Sequence, residues 1–380
     1  MDKRPLKIIF AIDAFKGCLT SEEIEKEAAA CIREVFPQSG LITLPIADGG
    51  EGTLPILTQL FHAEKRTCRV HDPLMRPLDA SYAYAPHTQT ALIEMAAASG
   101  LPLLSPEERN PLKATSYGTG ELIRDALNNG ARHLVIGIGG SATNDGGTGM
   151  LQALGYRFLN AEGQKLPQGG EILEQIASWD DSQAHPILKE ATFRVACDVT
   201  SPFYGPQGAA FVFARQKGAD DTMIAKLDAG MKQFAQCIAK NLHIDLQEHP
   251  GSGAAGGMGG GLLAFLQAEL ESGADLLLRL TRFDEQIKDA DFIFTGEGRM
   301  DHQTLMGKIP GKILERGLKQ HIPVIGLCGS CTHTAELMQA GFLQICPITP
   351  ENQLLSEAMK AENALQNLRK AIQKSIIPIL

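Results

Sequence analysis

Short apolar runs alternate along most of the chain with longer stretches in which apolar residues recur every three or four positions. The runs KIIFAI, RHLVIGIGG, TFRVACDV, DFIFTGEG and IPVIGLCG predict buried strands, and DDTMIAKLDAGMKQFAQCIAK predicts a helix. After the first run, Thr20 and Glu23 have the spacing of a helix-opening capping box, and apolar residues continue at helical intervals to Val35. This alternation predicts a mostly parallel sheet with helices on both faces.

The pattern changes between about residues 65 and 95, where KRTCRV, DASYAYA and QTALIEMA follow one another with only turn residues between them. Close-set short strands predict antiparallel pairing. For a chain of 380 residues we therefore predict two α/β domains. Residues 1–70 and 288–380 would form a discontinuous flavodoxin-like or Rossmann-like domain with a mostly parallel sheet, and residues 71–287 a larger inserted mixed α/β domain.

The composition is that of an ordinary globular protein and limits its partners. Hydrophobic residues make up 44% of the sequence, and the formal net charge at pH 7 is -9. Nucleic-acid binding needs clustered Lys and Arg, which the sequence does not concentrate anywhere. No window of about 18 uncharged apolar residues occurs, so a membrane span is not expected. Small molecules are the expected partners, with neither nucleic acid nor membrane among them.

The eight cysteines are scattered along the sequence, as is usual for thiols that stay reduced, and they predict a cytoplasmic protein. Cys328 and Cys331 have the C-x-x-C spacing of a redox motif or of half a zinc site. Because the sequence contains no second such pair, we interpret them as two thiols in a loop after the strand IPVIGL. A redox role is the alternative.

Five predicted strands end in the same kind of segment, which combines Asp or Glu with small hydroxyl residues and glycine. These segments are residues 13–17, 47–53, 139–147, 198–201 and 296–301. The carboxyl ends of parallel strands form the ligand crevice of α/β folds, so we expect a binding site there.

This combination of residues suits phosphoryl transfer. Carboxylates hold Mg²⁺ or orient a hydroxyl, glycine lets backbone N–H groups approach phosphate oxygens, and Lys or Arg neutralises developing charge. Hydride transfer fits less well, because no G-x-G-x-x-G follows the first strand. The Walker pattern G-x-x-x-x-G-K-[ST] is also absent, which argues against a P-loop but not against a kinase of another fold.

Each of these polar residues has a structural alternative that the sequence leaves open. Asp48 and Glu51 could turn the chain and cap the following helix. Asp145 could cap the helix that begins after it, and Asp198 could form an Asx turn. Lys16 could be a solvated surface lysine.

Residues 251–261, GSGAAGGMGGG, form the densest glycine stretch, and they lead into the apolar run GLLAFLQAEL, which predicts a helix. A glycine loop before a helix N-terminus is typical of phosphate-binding sites. We favour that interpretation over a flexible hinge.

Six motifs, in this order and at these separations, closely resemble the bacterial glycerate kinase family. They are DAFKGCLTSEE, PIADGGEGT, GIGGSATNDGGTGMLQALG, CDVTSPFYGPQGA, GSGAAGGMGGGL and TGEGRMDHQTLMGKIPG. The resemblance covers nearly the whole chain. It implies an ATP-dependent kinase that phosphorylates D-glycerate and requires Mg²⁺, with two α/β domains and a cleft between them. It favours 2-phosphoglycerate over 3-phosphoglycerate as the product. We expect a monomer or homodimer.

The resemblance and the chemistry of glycerate together suggest roles for particular residues, which are hypotheses at this point. A cation would bind the substrate carboxylate, and a carboxylate would accept the proton of the attacking hydroxyl. The expected residues are Asp198, Asp48 and Lys16 for catalysis; Lys16, Asp48, Glu51, Ser141, Asn144 and Arg299 for the substrate; Gly256, Gly257, Gly259, Gly260 and Lys308 for the ATP phosphates; and Asp198, Glu297 and Asp301 for the metal.

Two alternative functions stay open. A kinase for another small hydroxy acid or sugar acid would carry the same strand-end residues. A non-catalytic sensor of hydroxy acids would bind its ligand without turnover, but the density of acids and glycines at five strand ends argues against it.

Overall fold

The computed structural model describes residues 5–44, 46 and 53–380. Its strands are β1 (Lys7–Ile12), β2 (Gly40–Thr43), β3 (Glu64–His71), β4 (Pro77–Ala85), β5 (Thr90–Glu94), β6 (His133–Gly137), β7 (Arg157–Leu159), β8 (Ser178–Asp180), β9 (Thr192–Ala196), β10 (Glu269–Glu271), β11 (Phe292–Met300), β12 (Val324–Cys331) and β13 (Gln344–Pro347). Its α-helices are α1 (Ser21–Val35), α2 (Thr53–Leu60), α3 (Ala96–Ser99), α4 (Tyr117–Asn128), α5 (Thr148–Ala153), α6 (Ala209–Phe213), α7 (Asp221–Leu242), α8 (Ala254–Leu266), α9 (Gly273–Leu280), α10 (Phe283–Gln286), α11 (Ile309–Lys319), α12 (Thr334–Ala340), α13 (Leu355–Ala358) and α14 (Ala361–Ala371). In this part of the chain, none of the helices combines the length and the apolar character that crossing a membrane requires.

The first strand and helix form as local sequence predicts. β1 coincides with the run KIIFAI, and Ile8 to Ile12 are fully buried, as expected of a central parallel strand. The capping box of α1 is confirmed: Thr20 Oγ1 accepts from the Glu23 N–H at 3.2 Å, and the Thr20 N–H donates to Glu23 Oε2 at 2.8 Å. The apolar face of α1 then packs into the same core as β1.

The chain divides into two compact units. Unit 1 comprises Met1–Ile56 and Gly273–Leu380, and unit 2 comprises Leu57–Ser272. The predicted junctions at 70/71 and 287/288 lie further along the chain than these divisions. The first division is earlier because the whole of β3 pairs with β4 in the sheet of unit 2. The second is earlier because α9 joins unit 1, where Asp275 pairs with Arg316 of α11 at 3.3 Å.

Unit 1 is built on a five-stranded, wholly parallel sheet in the order β13-β12-β11-β1-β2. From β1 the chain moves outward to β2, and from β11 it moves outward in the opposite direction to β13. The strand order therefore reverses between β1 and β11, which are paired through residues such as Ile12 and Gly296. In doubly wound α/β folds this switch point opens a crevice at the carboxyl ends of the strands.

Unit 2 contains a six-stranded mixed sheet in the order β10-β9-β6-β5-β4-β3. As the sequence predicts, β3, β4 and β5 pair antiparallel, and the register alternates so that Ala80, Tyr82 and Tyr84 of β4 are buried. β5, β6, β9 and β10 are parallel, so their carboxyl ends share one edge of the sheet. A separate antiparallel pair, β7 with β8, lies outside this sheet.

β12 is longer than the sequence predicts. It continues through Cys331, so Cys328 and Cys331 lie within the strand and not in a loop after it. The extension is stabilised by β11, which also continues past its predicted end and pairs Arg299 with Ser330 and Met300 with Cys331.

Candidate functional site

In unit 1 the end of β1 lies beside Gly296 of β11 at the switch point. The Asp13 N–H donates to the Gly296 carbonyl at 2.9 Å, and Asp13 Oδ1 accepts from the Ala14 N–H at 2.8 Å. Asp13 is buried, whereas Lys16, which the sequence predicts as a catalytic and substrate-binding residue, is exposed three residues further on. Lys16 therefore lies in the segment that directly follows β1, at the carboxyl edge of the sheet.

Glu297, in the second half of β11, forms an ion pair with Lys308, which is partly exposed. Glu297 is 8% exposed, and its Oε1 accepts from Thr304 Oγ1 at 2.7 Å while its Oε2 lies 3.0 Å from Lys308 Nζ. Lys308 occupies the N-cap position of α11. The structure thus brings together a predicted metal ligand and a predicted phosphate ligand, and each neutralises the other.

Arg299 and Asp301 are the outer members of the same segment. Arg299 Nε lies 3.5 Å from Asp301 Oδ2, and the Arg299 side chain is 66% exposed. Asp301 also accepts from the Gln303 N–H at 2.9 Å and so caps the short 3₁₀ turn His302–Leu305. Arg299 therefore presents a cation at the surface of unit 1, while Asp301 has a structural role in the turn.

In unit 2 a buried lysine holds the segment that follows β6. Lys217 is 2% exposed, and its Nζ donates to Ser141 Oγ at 2.8 Å and to the Thr143 carbonyl at 2.7 Å. Sequence reasoning predicts Ser141 but misses Lys217, because a single lysine in ARQKGA has no spacing or periodicity that distinguishes it from a surface lysine. Only tertiary structure brings it to Ser141.

Asp145 joins the same segment to two helices. It is completely buried, and its carboxylate accepts from the Ser116 N–H at 2.7 Å, from Ser116 Oγ at 2.8 Å and from the Gly149 N–H at 3.3 Å. Asp145 therefore has more than the predicted capping role. Its carboxylate bonds to the first turn of α5, and it also holds Ser116, the residue before α4.

Burial shifts the pKa values of Asp145 and Lys217 in opposite directions. It raises the pKa of Asp145, although the hydrogen bonds from Ser116 oppose the rise. It lowers the pKa of Lys217 to about 7, with the negative charge of Asp145 opposing that change. Lys217 consequently gains or loses its proton near neutral pH, which an exposed lysine does not do.

Asn144 directly precedes Asp145 in the chain and is also fully buried. Within the described residues, neither its side-chain oxygen nor its nitrogen has a hydrogen-bond partner, and the same holds for Thr143 Oγ1 and Ser252 Oγ. Unpaired buried amides are rare because they destabilise a fold. Thr143 and Asn144 lie within three residues of Ser141 in the chain, and the binding role of Asn144 stays a prediction.

The glycine stretch differs from its prediction. α8 begins at Ala254, inside the stretch, and residues 255–257 have left-handed backbone angles that interrupt it. The helix ends at Leu266, and β10 takes up the end of the predicted helix GLLAFLQAEL. At Gly256 and Gly257 glycine is required, because left-handed backbone and close approach coincide there.

The predicted phosphate-binding glycines pack tightly inside unit 2. A Cβ on Gly256 would lie 2.1 Å from the Thr143 carbonyl oxygen, and one on Gly257 would lie 2.9 Å from Gly146 Cα. The Gly257 N–H donates to the Gly253 carbonyl at 3.2 Å, and the Gly260 N–H donates to the Ser252 carbonyl at 2.8 Å. A Cβ on Gly259 would lie 2.4 Å from the Gly251 carbonyl oxygen. The stretch therefore packs against residues 143–147.

Asp198 lies directly beyond β9 and is exposed. Gly137 of β6 is the register partner of Ala196 of β9, so Asp198 and Ser141 follow neighbouring strands at one edge of the sheet. The other two predicted acids, Asp48 and Glu51, lie outside the described residues.

The carboxylates do not form a metal cage in the part of the chain that the structure describes. No three His, Cys, Asp or Glu side chains there are close enough together to hold an ion. Metal ligation by Asp198, Glu297 or Asp301 therefore stays a prediction.

Two α/β units in which predicted site residues follow parallel strands are typical of an α/β enzyme, and the sequence contains no P-loop pattern. The family model described as the glycerate kinase family matches residues 8–377. The chain belongs to the glycerate kinase family.

Named relatives are similar over most of their length. A glycerate 2-kinase of Escherichia coli (strain K12) is 45% identical over 327 residues, which cover 86% of each chain. A glycerate kinase of Bacillus cereus is 42% identical over 369 residues, which cover 97% of each chain. A crystal structure of a protein assigned as glycerate kinase 2 from Salmonella typhimurium LT2 superposes with a TM-score of 0.83 at 40% identity, over 99% of this chain and 98% of the other.

Proposed function

We propose that this protein transfers the γ-phosphoryl group of ATP to the 2-hydroxyl of D-glycerate and so produces 2-phosphoglycerate. The observation that carries the proposal is the family match over residues 8–377, which spans every strand end that bears a predicted site residue. The similarity to a protein named glycerate 2-kinase supports the choice of the 2-hydroxyl.

Glycerate is a small anion, so its carboxylate needs a cation. Arg299 suits this role because its side chain is largely exposed. Its ion pair with Asp301 is long, at 3.5 Å, and therefore weak. A guanidinium can bind a carboxylate through two parallel hydrogen bonds. Lys16, at the end of β1, is the second candidate.

The hydroxyl groups of glycerate need hydrogen-bonding partners, and unit 2 offers two kinds. Asn144 has an unsatisfied buried amide in the described part of the chain, and Ser141 is held in position by Lys217. Asp198 is exposed at the neighbouring strand end, where a carboxylate can accept the proton of the attacking hydroxyl. We propose Asp198 as the catalytic base.

The ATP phosphates are proposed to lie against backbone N–H groups of residues 251–261. The left-handed run 255–257 supports this role, because such backbone turns successive N–H groups toward one side. The Gly257 N–H would exchange its bond to the Gly253 carbonyl for a phosphate oxygen. Lys308 is proposed as a separate phosphate ligand, which would exchange its ion pair with Glu297 for a phosphate oxygen.

A kinase of this kind is expected to use Mg²⁺ with ATP. The donor set fits an ion that is held by one or two carboxylates and otherwise by phosphate and water oxygens, since no cluster of three candidate ligands occurs among the described residues. In the alternative assignment, Asp48 is the base and Asp198 is the proposed protein ligand of Mg²⁺. Bound Mg²⁺ would neutralise charge on the phosphates.

The product of the reaction tests the proposal directly. The purified protein is incubated with Mg-ATP and D-glycerate, with L-glycerate and no acceptor as controls, and the product is identified by NMR. A phosphorus resonance coupled to the C2 proton is the expected result. Coupling to the C3 protons would make the protein a 3-kinase, and absence of phosphoglycerate from folded protein would reject glycerate as the acceptor.

The role of Asp198 is tested by Asp198→Asn, which keeps the shape of the side chain and removes its basicity. A general base contributes roughly 10²- to 10⁴-fold, so we expect kcat to fall by that factor with little change in unfolding. Asp181→Asn, at another exposed aspartate of unit 2, is the matched control and should keep the wild-type rate. A near-normal kcat for Asp198→Asn would remove Asp198 as the base.

A further inference from the structure

Two thiols lie together at the carboxyl end of β12. Cys328 is fully buried and Cys331 is partly exposed. Their side chains interact, since each shifts the pKa of the other. One thiol is therefore open to small molecules in solution, and the other is shielded but within reach of the first.

The surroundings of Cys331 favour its thiolate form. Its hydrogen bond with Cys328 lowers the pKa of Cys331 to about 6, and contributions from Thr334 and His333 act in the same direction, against burial and the charge of Asp301. Thr334 Oγ1 donates to Cys331 Sγ at 3.3 Å. The imidazole of His302 lies beside that of His333, with 5.5 Å between the ring centroids.

The other seven cysteines provide an internal contrast. Burial raises the pKa of each of them or contributes to its rise, and the pKa values of Cys31, Cys68 and Cys346 reach about 11. Because the thiolate is the reactive form of cysteine, Cys331 is the thiol in this chain that the structure prepares for reaction near neutral pH.

We propose that Cys331 and Cys328 are a reversible oxidation site, in which Cys331 reacts with a hydroperoxide and Cys328 resolves the product. The Cys331 thiolate displaces hydroxide from hydrogen peroxide and becomes a sulfenic acid. The Cys328 sulfur then attacks the Cys331 sulfur, its proton leaves, and the sulfenic oxygen departs as water. Two thiols and one hydrogen peroxide give one disulfide and two waters, and an added dithiol reverses the oxidation.

The site lies beside the segment that carries Arg299 and Glu297. Ser330 and Cys331 are register partners of Arg299 and Met300, and a Cβ on Gly329 would lie 2.6 Å from the Gly298 carbonyl oxygen. Drawing the two sulfurs to the bond length of about 2.05 Å must move the end of β12 against β11. If the proposed kinase function holds, oxidation should lower the phosphotransfer rate.

The oxidation site can be tested by mass spectrometry on the full-length chain. Reduced protein is treated with limiting hydrogen peroxide at pH 7, remaining thiols are alkylated, and tryptic peptides are analysed. The peptide 320–360 should lose two hydrogens through a Cys328–Cys331 bond, while Cys346 in the same peptide stays alkylated. Before oxidation, iodoacetamide should label Cys331 roughly ten-fold or more faster than Cys68.

Variants separate the two roles. Cys331→Ser should abolish oxidation of Cys328, whereas Cys328→Ser should leave a sulfenic acid on Cys331 that a 1,3-diketone traps. Cys68→Ser is the control and should behave as wild type. Absence of the disulfide in wild type, or labelling of Cys331 no faster than Cys68, would overturn the proposal.

The kinase assay gives an independent readout. Loss of rate on oxidation, restored by a dithiol in wild type and absent in Cys331→Ser, supports the effect on catalysis. An unchanged rate in a fully oxidised sample would overturn that effect. A reduced protein without kinase activity would reject the proposed function, and the disulfide mapping would still decide the oxidation site.

Discussion

Glu25 is a buried carboxyl whose ionisation opposes folding. It lies in α1, is 3% exposed, and its Oε1 accepts from the Ile12 N–H at 3.1 Å. Burial raises the pKa of Glu25 to about 8, although the bonds to Ile12 and Ser21 oppose the rise. The folded state therefore holds a proton between about pH 4.5 and pH 8 that the unfolded state releases, so stability falls as the pH rises through this range.

Glu25→Gln should remove this dependence, because the amide oxygen can still accept from the Ile12 N–H and cannot ionise. We expect the free energy of unfolding of the variant to exceed that of wild type by a few kcal/mol at pH 8 and to approach it at pH 4.5. Urea unfolding at several pH values measures the difference. Parallel stability curves for the two proteins would show that Glu25 is ionised in the fold.

Lys217 has the opposite linkage. Its folded pKa of about 7 lies below the value of 10.5 for a free lysine, so the unfolded state binds the extra proton between these two pH values and stability rises with pH. Relative to Lys217→Met, wild type should gain roughly 1 to 3 kcal/mol of unfolding free energy between pH 7 and pH 9. Lys226→Met, at a half-exposed lysine of α7, should show no such gain.

Lys217→Met also tests whether Lys217 positions Ser141. Loss of the bonds at 2.8 Å to Ser141 and 2.7 Å to the Thr143 carbonyl frees the segment after β6. If Ser141 and Asn144 bind glycerate, KM for glycerate should rise in Lys217→Met more than kcat falls. An unchanged KM would confine Lys217 to a structural role.

At the level of single residues, the sequence predicts which residues carry suitable chemistry better than it predicts which residues contact one another. Ser141 and Glu297 are predicted because they follow apolar runs. In the structure Ser141 lies four residues after β6, whereas Glu297 lies within β11. Lys217 and Glu25 were missed, because their significance depends on burial and on partners 76 and 13 residues away. Sequence spacing contains no information about such distant partners.

Among the elements, those with local signals were the most predictable. The capping box of α1 and the run of β1 are each encoded within a few neighbouring residues. The glycine stretch was harder, because its backbone is determined by what it packs against. Residues 254–261 lie in α8, and residues 143–147 occupy the space that side chains at Gly256 and Gly261 would need.

Gly256→Ala tests this packing. A Cβ there would lie 2.1 Å from the Thr143 carbonyl oxygen, and the backbone φ is +68°. We expect a loss of roughly 2 to 4 kcal/mol of unfolding free energy from strain and overpacking together. Gly163→Ala is the matched control, since its φ is +76° and nothing lies within 4 Å, so only about 1 kcal/mol should be lost. Equal losses would mean that close approach contributes nothing.

For the whole molecule, the sequence predicts a discontinuous unit and an insertion, but the junctions depend on pairing that is not local. The six-stranded sheet includes β3, whose partner β4 completes its hydrogen bonding in unit 2. The core of unit 2 and the core around β1 and α1 share no residue. Unit 1 requires both chain ends, since Ile8 and Leu368 belong to one core.

Residues 53–272, expressed alone, should therefore fold. The fragment contains α2, the complete sheet from β3 to β10 and every residue of the core of unit 2. We expect mixed α/β circular dichroism and a single cooperative urea transition. It should not transfer phosphate to glycerate, because the proposed cations Lys16 and Arg299 belong to unit 1. A fragment without a cooperative transition would show that unit 2 depends on the rest of the chain for its stability, and phosphotransfer by the folded fragment would exclude both cations from the site.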